Sequence, residues 1–163
     1  MAMAVETLIS VEDYLRTSYS PDMEYIDGAL MERNVGDPLH SLVQSNIIFA
    51  LRTKYKSIKV LPEVRSRVTS TRYRLPDVCV TLSFPNAKAL LDPPFVAIEI
   101  LSEDDRMTRV IERLQEFAAI GTPHIWVIDP RLKQMFTFHG NALRTVATEN
   151  PRLELTRAEI FQE

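Results

Sequence analysis

The sequence has few of the residues from which disulfides and zinc sites are built. A single cysteine, Cys79, excludes an internal disulfide and a zinc site made of cysteines. The three histidines, His40, His124 and His139, are widely scattered and show no metal-ligand spacing. A metal site of the Cys/His type is therefore not expected.

The chain also lacks an excess of charge and any long apolar run. Its net charge of −3 does not indicate strong nonspecific binding to nucleic acid, although a local stripe of basic residues is compatible with this charge. No apolar run approaches the roughly eighteen residues of a membrane span. The N-terminal segment MAMAVETLIS lacks the basic and apolar regions of a signal peptide. With 45% apolar and 25% charged residues, we expect one cytoplasmic domain over residues 1–163 without a membrane association.

Strand-like and helix-like segments alternate along the chain, and their order predicts the fold class. The Asp27–Gly28 pair is a two-residue hairpin signal. Asp37 as a cap and Pro38 in the first turn predict a buried helix that ends near Tyr55. Periodic apolar residues predict a second long helix over 104–120. We therefore predict an α/β fold, namely a mixed, twisted sheet of about five strands flanked by helices, with a β-hairpin extension.

Two acids interrupt two of the most apolar segments. Pro76 and Asp77 stand in the centre of YRLPDVCV, and Glu99 stands alone in FVAIEILS. A buried carboxylate costs several kcal/mol unless it is paired or bound to a metal. If the two strands are neighbours, the carboxylates converge, and such a pair calls for a cation such as Mg2+ or Mn2+. The alternatives are a turn residue at Asp77 and a structural acid at Glu99.

Three arginines form a stripe on the second predicted helix. Arg106, Arg109 and Arg113 recur at steps of three and four residues, so they share one face beside the apolar residues. Such a stripe can bind phosphates. The alternative is a solvated helix edge whose arginines pair with Glu112 and Glu116.

Other polar residues near these segments have ordinary structural explanations. His40 lies in the first turn of a helix, where we expect it to pack or cap rather than to bind metal. Ser102 is expected to cap the helix that follows it. Glu63 either faces the site or pairs with Arg65 or Arg67.

The chain contains, in this order, the segments MEYIDGALMER, PLH, PEVRSRV, LPDVCV, PFVAIEILS, GTPHIWVIDP and LTRAEIF. This ordered series resembles the Uma-two family, a bacterial branch of the PD-(D/E)xK restriction-endonuclease-like superfamily. The resemblance implies a restriction-endonuclease-like fold with metal-dependent phosphodiesterase activity. It implies Asp77, Glu99 and the backbone carbonyl of Ile100 as metal ligands. It also implies that Glu24 completes the set of metal ligands. The alternative is that Glu24 is a solvated residue of the hairpin.

The chain departs from the superfamily pattern at the basic residue. Leu101 stands where the pattern has a lysine, two residues after the glutamate. Arg113 occupies the helical position that carries the basic residue in many members of the resembled family. Arginine binds phosphate bidentately, but it cannot exchange a proton as lysine can.

Two classes of function follow. The first is an endonuclease that uses Mg2+ or Mn2+ to hydrolyse nucleic acid, DNA rather than RNA, with Asp77, Glu99, Arg113 and Glu24 as its catalytic residues and metal-bound water as its nucleophile. The second is a degenerate nuclease fold that binds nucleic acid or a protein, or that serves as an assembly domain. We also expect a homodimer, which as an assembly domain would bury the strands on the side of HIWVIDP.

Overall fold

The computed structural model describes residues 7–34, 36–140, 142–145 and 153–163. The helices in these residues are α1 (Val11–Arg16), α2 (Pro38–Lys54), α3 (Met107–Ala119) and α4 (Arg157–Phe161). The strands are β1 (Glu24–Ile26), β2 (Ala29–Met31), β3 (Lys59–Pro62), β4 (Ser66–Thr69), β5 (Arg72–Arg74), β6 (Val78–Thr81), β7 (Val96–Ile100), β8 (His124–Asp129), β9 (Gln134–His139) and β10 (Ala142–Thr145).

The described strands form two sheets. A four-stranded sheet has the order β2-β1-β5-β4, and a six-stranded sheet has the order β10-β9-β8-β7-β6-β3. In the larger sheet β7 and β8 are parallel, and the other neighbours are antiparallel. The mixed α/β architecture is confirmed, but the main sheet has six strands rather than about five. The predicted hairpin, β1 and β2, belongs to the second sheet.

Two strand-like segments, IKVLPEVRSRV and YRLPDVCVTL, divide between the two sheets. The first gives β3 and β4, separated by a connection in which Glu63 has a left-handed backbone with φ of 49°. The second gives β5 and β6, separated by Leu75, Pro76 and Asp77. Proline has no N–H to donate to a strand ladder, so pairing stops there and the chain passes from one sheet to the other. Asp77 therefore lies at this crossing and not in the centre of a strand.

Helices cover both faces of the larger sheet, as predicted. Apolar residues of α2 and α4 pack with buried residues of β6, β7 and β8 on one face. Val110, Leu114 and Phe117 of α3 pack on the other face, against residues that include Ala97. Because alternate strand residues point to opposite faces, Glu99 shares the α3-covered face with Ala97. The fold thereby directs this acid toward α3.

Local signals explain the helix boundaries. Asp37 caps α2 as predicted, and the helix begins at Pro38. α3 begins at Met107, later than the sequence indicates, and Arg106 at its N-cap makes no side-chain cap hydrogen bond. The backbone N–H of Ser102 donates to Asp105 Oδ2 at 2.8 Å. The predicted role of Ser102 as a helix cap is therefore wrong.

The structure also bears on the expected dimer surface. The strand β8 lies between β7 and β9, and its residues from Ile125 to Ile128 are buried within the chain itself. A homodimer that uses the strands on the side of HIWVIDP remains a prediction. β9 and β10 pair as antiparallel strands near the C-terminal end of the chain. No helix in the described part of the chain is long and apolar enough to cross a membrane.

Candidate active site

The fold brings together the two acids that the sequence singles out. β6 and β7 are antiparallel neighbours with Val78 opposite Ile98, and the next residues in that register are Asp77 and Glu99. Both are buried, with 2% and 4% of their surface exposed. Neighbouring strands therefore place two carboxylates side by side in poorly solvated surroundings.

Asp77 has a partner at each carboxylate oxygen. Arg33 Nη2 donates to Oδ1 at 2.6 Å, and His40 Nε2 lies 3.2 Å from the same oxygen. The backbone N–H of Ile100 donates to Oδ2 at 2.7 Å. Burial raises the pKa of Asp77, but the hydrogen bond from His40 and the charge of Arg33 outweigh it and hold the pKa below its usual value. Asp77 is therefore an ionised, fixed carboxylate.

Only one of the two carboxylate oxygens of Glu99 contacts a polar group of the described residues. Its Oε2 lies 3.4 Å from Arg113 Nη1, whereas its Oε1 is buried without a hydrogen-bond partner among the residues that the structure describes. Burial raises the pKa of Glu99 to about 8, against the charge of Arg113 and reinforced by the charge of Asp77. A buried carboxylate oxygen without a partner indicates a bound proton or a missing ligand.

Arg113 connects Glu99 to Glu24. Arg113 Nη2 lies 3.1 Å from Glu24 Oε1, and only 16% of the arginine side chain is exposed. Glu24 Oε1 also accepts from the N–H of Leu75 at 3.0 Å, and Oε2 accepts from Arg74 Nη1 at 3.0 Å. Glu24 is thus a buried, ion-paired residue and not a solvated hairpin residue. It reaches Glu99 through Arg113.

The predicted arginine stripe divides into two parts. Arg113 points into the site, whereas Arg106 and Arg109 are exposed and line an open groove of about 290 Å3, here called the outer groove. Glu112 and Glu116, the alternative partners of the stripe, pair instead with arginines of β5. Arg106 and Arg109 form no ion pair with the other residues that the structure describes.

A second and much smaller space lies between the two acids. This inner cavity has a volume of about 20 Å3, and Asp77, Glu99 and Ile100 are among its lining residues. Arg33 and Arg113 line both the inner cavity and the outer groove. Asn34 and Asp105 line both spaces as well, so the two spaces adjoin.

The donor set of the inner cavity fits a hard divalent cation. A volume of about 15 Å3 or more is enough for one water-sized species, and the unpartnered Oε1 of Glu99 is a ready ligand. In the described ranges no group of three or more His, Cys, Asp or Glu residues is placed to hold a metal. Mg2+ is commonly held by one or two carboxylates, with waters and substrate phosphate at its other positions. Asp77 and Glu99 would supply those carboxylates, and the Ile100 carbonyl is the third ligand that the resemblance implies.

Two residues of α2 belong to the site without having been assigned to it. His40 does more than pack or cap, because its imidazole contacts the Asp77 carboxylate. Gln44 Nε2 donates to the backbone carbonyl of Asp77 at 2.9 Å. The two lie four residues apart on one helix face, a spacing that is visible in the sequence but points to no particular partner.

Arg33 was not identified from the sequence either. It lies in the irregular connection after β2, so no periodicity marks it. Its Nη1 lies 3.4 Å from Glu63 Oε1. Glu63 therefore pairs with Arg33 at the rim of the site rather than with Arg65 or Arg67.

Comparisons with known proteins agree with this architecture. The crystal structure of "a putative nuclease belonging to DUF820 from Anabaena variabilis" superposes with a TM-score of 0.78 at 22% identity, covering 94% of this chain and 97% of that chain. At this identity the likeness shows the fold. A search of curated proteins found no significant match. The sequence model of Uma2, described as "Putative restriction endonuclease", matches residues 11–162. Since this match spans nearly the whole sequence, the chain belongs to the Uma2 family.

Proposed function

We propose that this protein is a divalent-metal-dependent endonuclease that hydrolyses phosphodiester bonds, with DNA as the expected substrate. The pair of Asp77 and Glu99 carries this proposal. One acid is ionised and fixed, and the other has a buried oxygen without a partner beside a cavity of ionic size. The description of the family as restriction endonucleases supports the same reaction class.

The acids and their supports would hold the metal. Bound Mg2+ or Mn2+ lowers the pKa of a water molecule and offsets charge on the attacked phosphoryl group. Asp77 and Glu99 would be its ligands, together with the Ile100 carbonyl. The N–H of Ile100 and the imidazole of His40 orient the Asp77 carboxylate, as outer partners of metal ligands commonly do.

Arg113 would supply fixed positive charge between the metal ligands and the substrate. It lines both the inner cavity and the outer groove, and its guanidinium remains protonated at all accessible pH values. It can therefore stabilise charge on a phosphoryl group but cannot take up a proton. Glu24 would act through Arg113 as a positioning residue, because it holds Nη2 of that arginine.

Arg106 and Arg109 would bind the nucleic-acid backbone. They are exposed on the outer groove, next to Arg113 along the same helix. Contacts between arginine and phosphate give affinity and register without reading the sequence. The groove is also lined by acids, Glu24, Glu32, Asp104, Asp105 and Glu112, so Arg106 and Arg109 would supply local phosphate contacts and not a uniformly basic surface.

A specific observation favours a second candidate function, a nuclease fold that binds nucleic acid or a protein without cutting. Both oxygens of Asp77 already have partners, and Leu101 occupies the usual position of the superfamily lysine. If Arg33 never leaves Asp77, a metal would have a single free carboxylate oxygen, on Glu99.

A plasmid assay separates the two functions. Supercoiled DNA is incubated with wild type, Asp77→Ala, Glu99→Ala and the exposed control Glu103→Ala, in Mg2+, Mn2+ or EDTA. We expect cleavage by wild type and Glu103→Ala with either metal, and none in EDTA or by the other two variants. Equal cleavage by all four proteins would refute the assigned site. DNA binding by wild type without cleavage would support the second candidate.

A further inference from the structure

Arg33 occupies the carboxylate oxygen that a cation would need at Asp77. The Oδ2 atom is held by the backbone N–H of Ile100, which is fixed within β7. The partners of Oδ1 are side chains, and Arg33 Nη2 is the nearer of them at 2.6 Å. Only Oδ1 can therefore change its partners without a change in the sheet.

Not all N–H donors of the Arg33 guanidinium have a close acceptor among the described residues in this position. Its Nε is buried and has no hydrogen-bond partner within the described part of the chain. Its Nη1 has only a 3.4 Å contact with Glu63, whose side chain is 56% exposed. An arginine has five N–H donors in a planar fork, so Arg33 retains donors for another acceptor.

The position of Arg33 gives it access to both spaces. It is a lining residue of the inner cavity and also of the outer groove, where Arg106 and Arg109 lie. Arg33 therefore borders both the Asp77 side and the groove side of the site.

The charges indicate when this movement would occur. Without a metal, Arg33 offsets the charge of Asp77, and Arg113 offsets those of Glu99 and Glu24. A divalent cation at Asp77 adds two positive charges beside a buried guanidinium, and like charges at such distances repel. A phosphodiester in the outer groove offers the displaced guanidinium a negative, bidentate acceptor.

We infer that Arg33 is an exchanging phosphate ligand. It closes the metal-free site by pairing with Asp77, leaves Asp77 when a divalent cation binds, and then binds a phosphate of the nucleic acid in the outer groove. This inference rests on the proposed function for its cation and its substrate. It also makes a prediction about cation affinity that requires no cleavage.

The first test is calorimetric titration of Mn2+ without nucleic acid. If Arg33 occupies Asp77 in about nine of ten molecules, the apparent Kd is about tenfold weaker than the intrinsic one. We therefore expect Arg33→Gln to bind Mn2+ about tenfold more tightly than wild type. Arg131→Gln removes an arginine paired with Asp37 outside both cavities and should bind like wild type. If thermal unfolding shows that Arg33→Gln does not fold, Arg33→Lys replaces it, with a smaller gain expected.

The second test measures the affinity for a duplex with hydrolysis-resistant phosphorothioate linkages. In Mn2+ we expect weaker binding by Arg33→Gln than by wild type and Arg131→Gln. In EDTA all three should bind equally, because Arg33 then stays on Asp77. Unchanged or weaker Mn2+ affinity of Arg33→Gln, or unchanged duplex affinity in Mn2+, would overturn the inference.

The outcomes also separate this inference from the proposed function. A wild type that shows both effects but never cuts DNA would refute the hydrolysis and support the role of Arg33. If wild type cuts DNA but Arg33→Gln shows no gain of Mn2+ affinity, the result would support the hydrolysis and refute the role of Arg33. If neither wild type nor Arg33→Gln binds Mn2+, the result would overturn both the proposed function and the role of Arg33.

Discussion

Arg113 and Glu99 face each other at 3.4 Å, and this contact satisfies only one of the two oxygens of the glutamate. The other oxygen is buried beside the inner cavity with no partner. Ionised Glu99 is therefore costly in the metal-free protein, and its pKa is raised to about 8, mainly by burial. The metal-free fold carries an electrostatic cost at the atom that a cation would stabilise.

The first prediction concerns stability against pH without metal. The pKa of Glu99 is 4.5 when unperturbed and about 8 in the folded protein, so the native state binds the extra proton between these values. Wild type should lose stability as the pH rises through this window, whereas Glu99→Gln should not. By about pH 9 the variant should be more stable by a few kcal/mol. Urea unfolding in EDTA measures this difference. Identical pH profiles for the two proteins would contradict it, and the exposed variant Glu103→Gln should follow wild type.

The second prediction concerns Arg113. The sequence places it at the rim of an apolar stripe, but the structure buries it between Glu24 and Glu99. Removing one partner of a buried pair costs roughly 3–5 kcal/mol, so Arg113→Ala should be strongly destabilised, less so below about pH 8, where Glu99 carries a proton. Arg113→Lys keeps the charge and should retain or raise the cleavage rate. Unfolding curves and plasmid assays test both variants. If Arg113→Ala is as stable as wild type, the ion pairs of Arg113 contribute nothing to the free energy of unfolding.

The third prediction concerns His40. Burial lowers the pKa of His40, but its hydrogen bond to Asp77 and the charge of that acid raise it above 6.5 overall. The resulting stabilisation is present below about pH 6.5 and is lost as the pH rises through the folded pKa. In Asp77→Asn the pKa should fall, because burial and the charge of Arg33 both lower it and the charge of Asp37 is left to raise it. NMR titration measures it, with His40→Gln identifying the resonance. An unchanged pKa in Asp77→Asn would refute the contact.

The fourth prediction concerns Arg106 and Arg109. Both are exposed, so replacing them together by glutamine should leave thermal stability unchanged. Each lost phosphate contact should reduce the slope of log K against log salt by about 0.9 on duplex DNA, and the double variant by roughly 2. Arg16→Gln, an exposed arginine on α1, is the control and should keep the wild-type slope. A double variant with that same slope would remove these residues from the interface.

Local signals made much of the fold predictable. Asp37 before Pro38 marks the start of α2, the Asp27–Gly28 pair marks the hairpin, and apolar periodicity marks α3. Asp77 and Glu99 were found for a similar reason, because each is a charged residue in an apolar run. Such signals depend on residues a few positions apart, and the sequence displays them directly.

The parts of the fold and of the site that were not predicted depend on contacts between residues that are distant in the chain. Arg33 contacts Asp77 across 44 positions, and Gln44 contacts it across 33. No local pattern announces such pairs. The division of the strands between two sheets is hidden in the same way, since it follows from which strands pair. The burial of Arg113 likewise depends on Glu24 arriving from the other sheet.

Thermal unfolding of wild type and Glu99→Gln, each with Mn2+ and with EDTA, tests the assigned metal site most directly. An ion that binds only the folded protein adds about 1.4 kcal/mol at ten times its Kd, which raises the Tm of a domain of this size by roughly 3–6 °C. We predict this rise for wild type and little or none for Glu99→Gln. An equal rise in both proteins, or none in wild type, would contradict a metal site at Asp77 and Glu99.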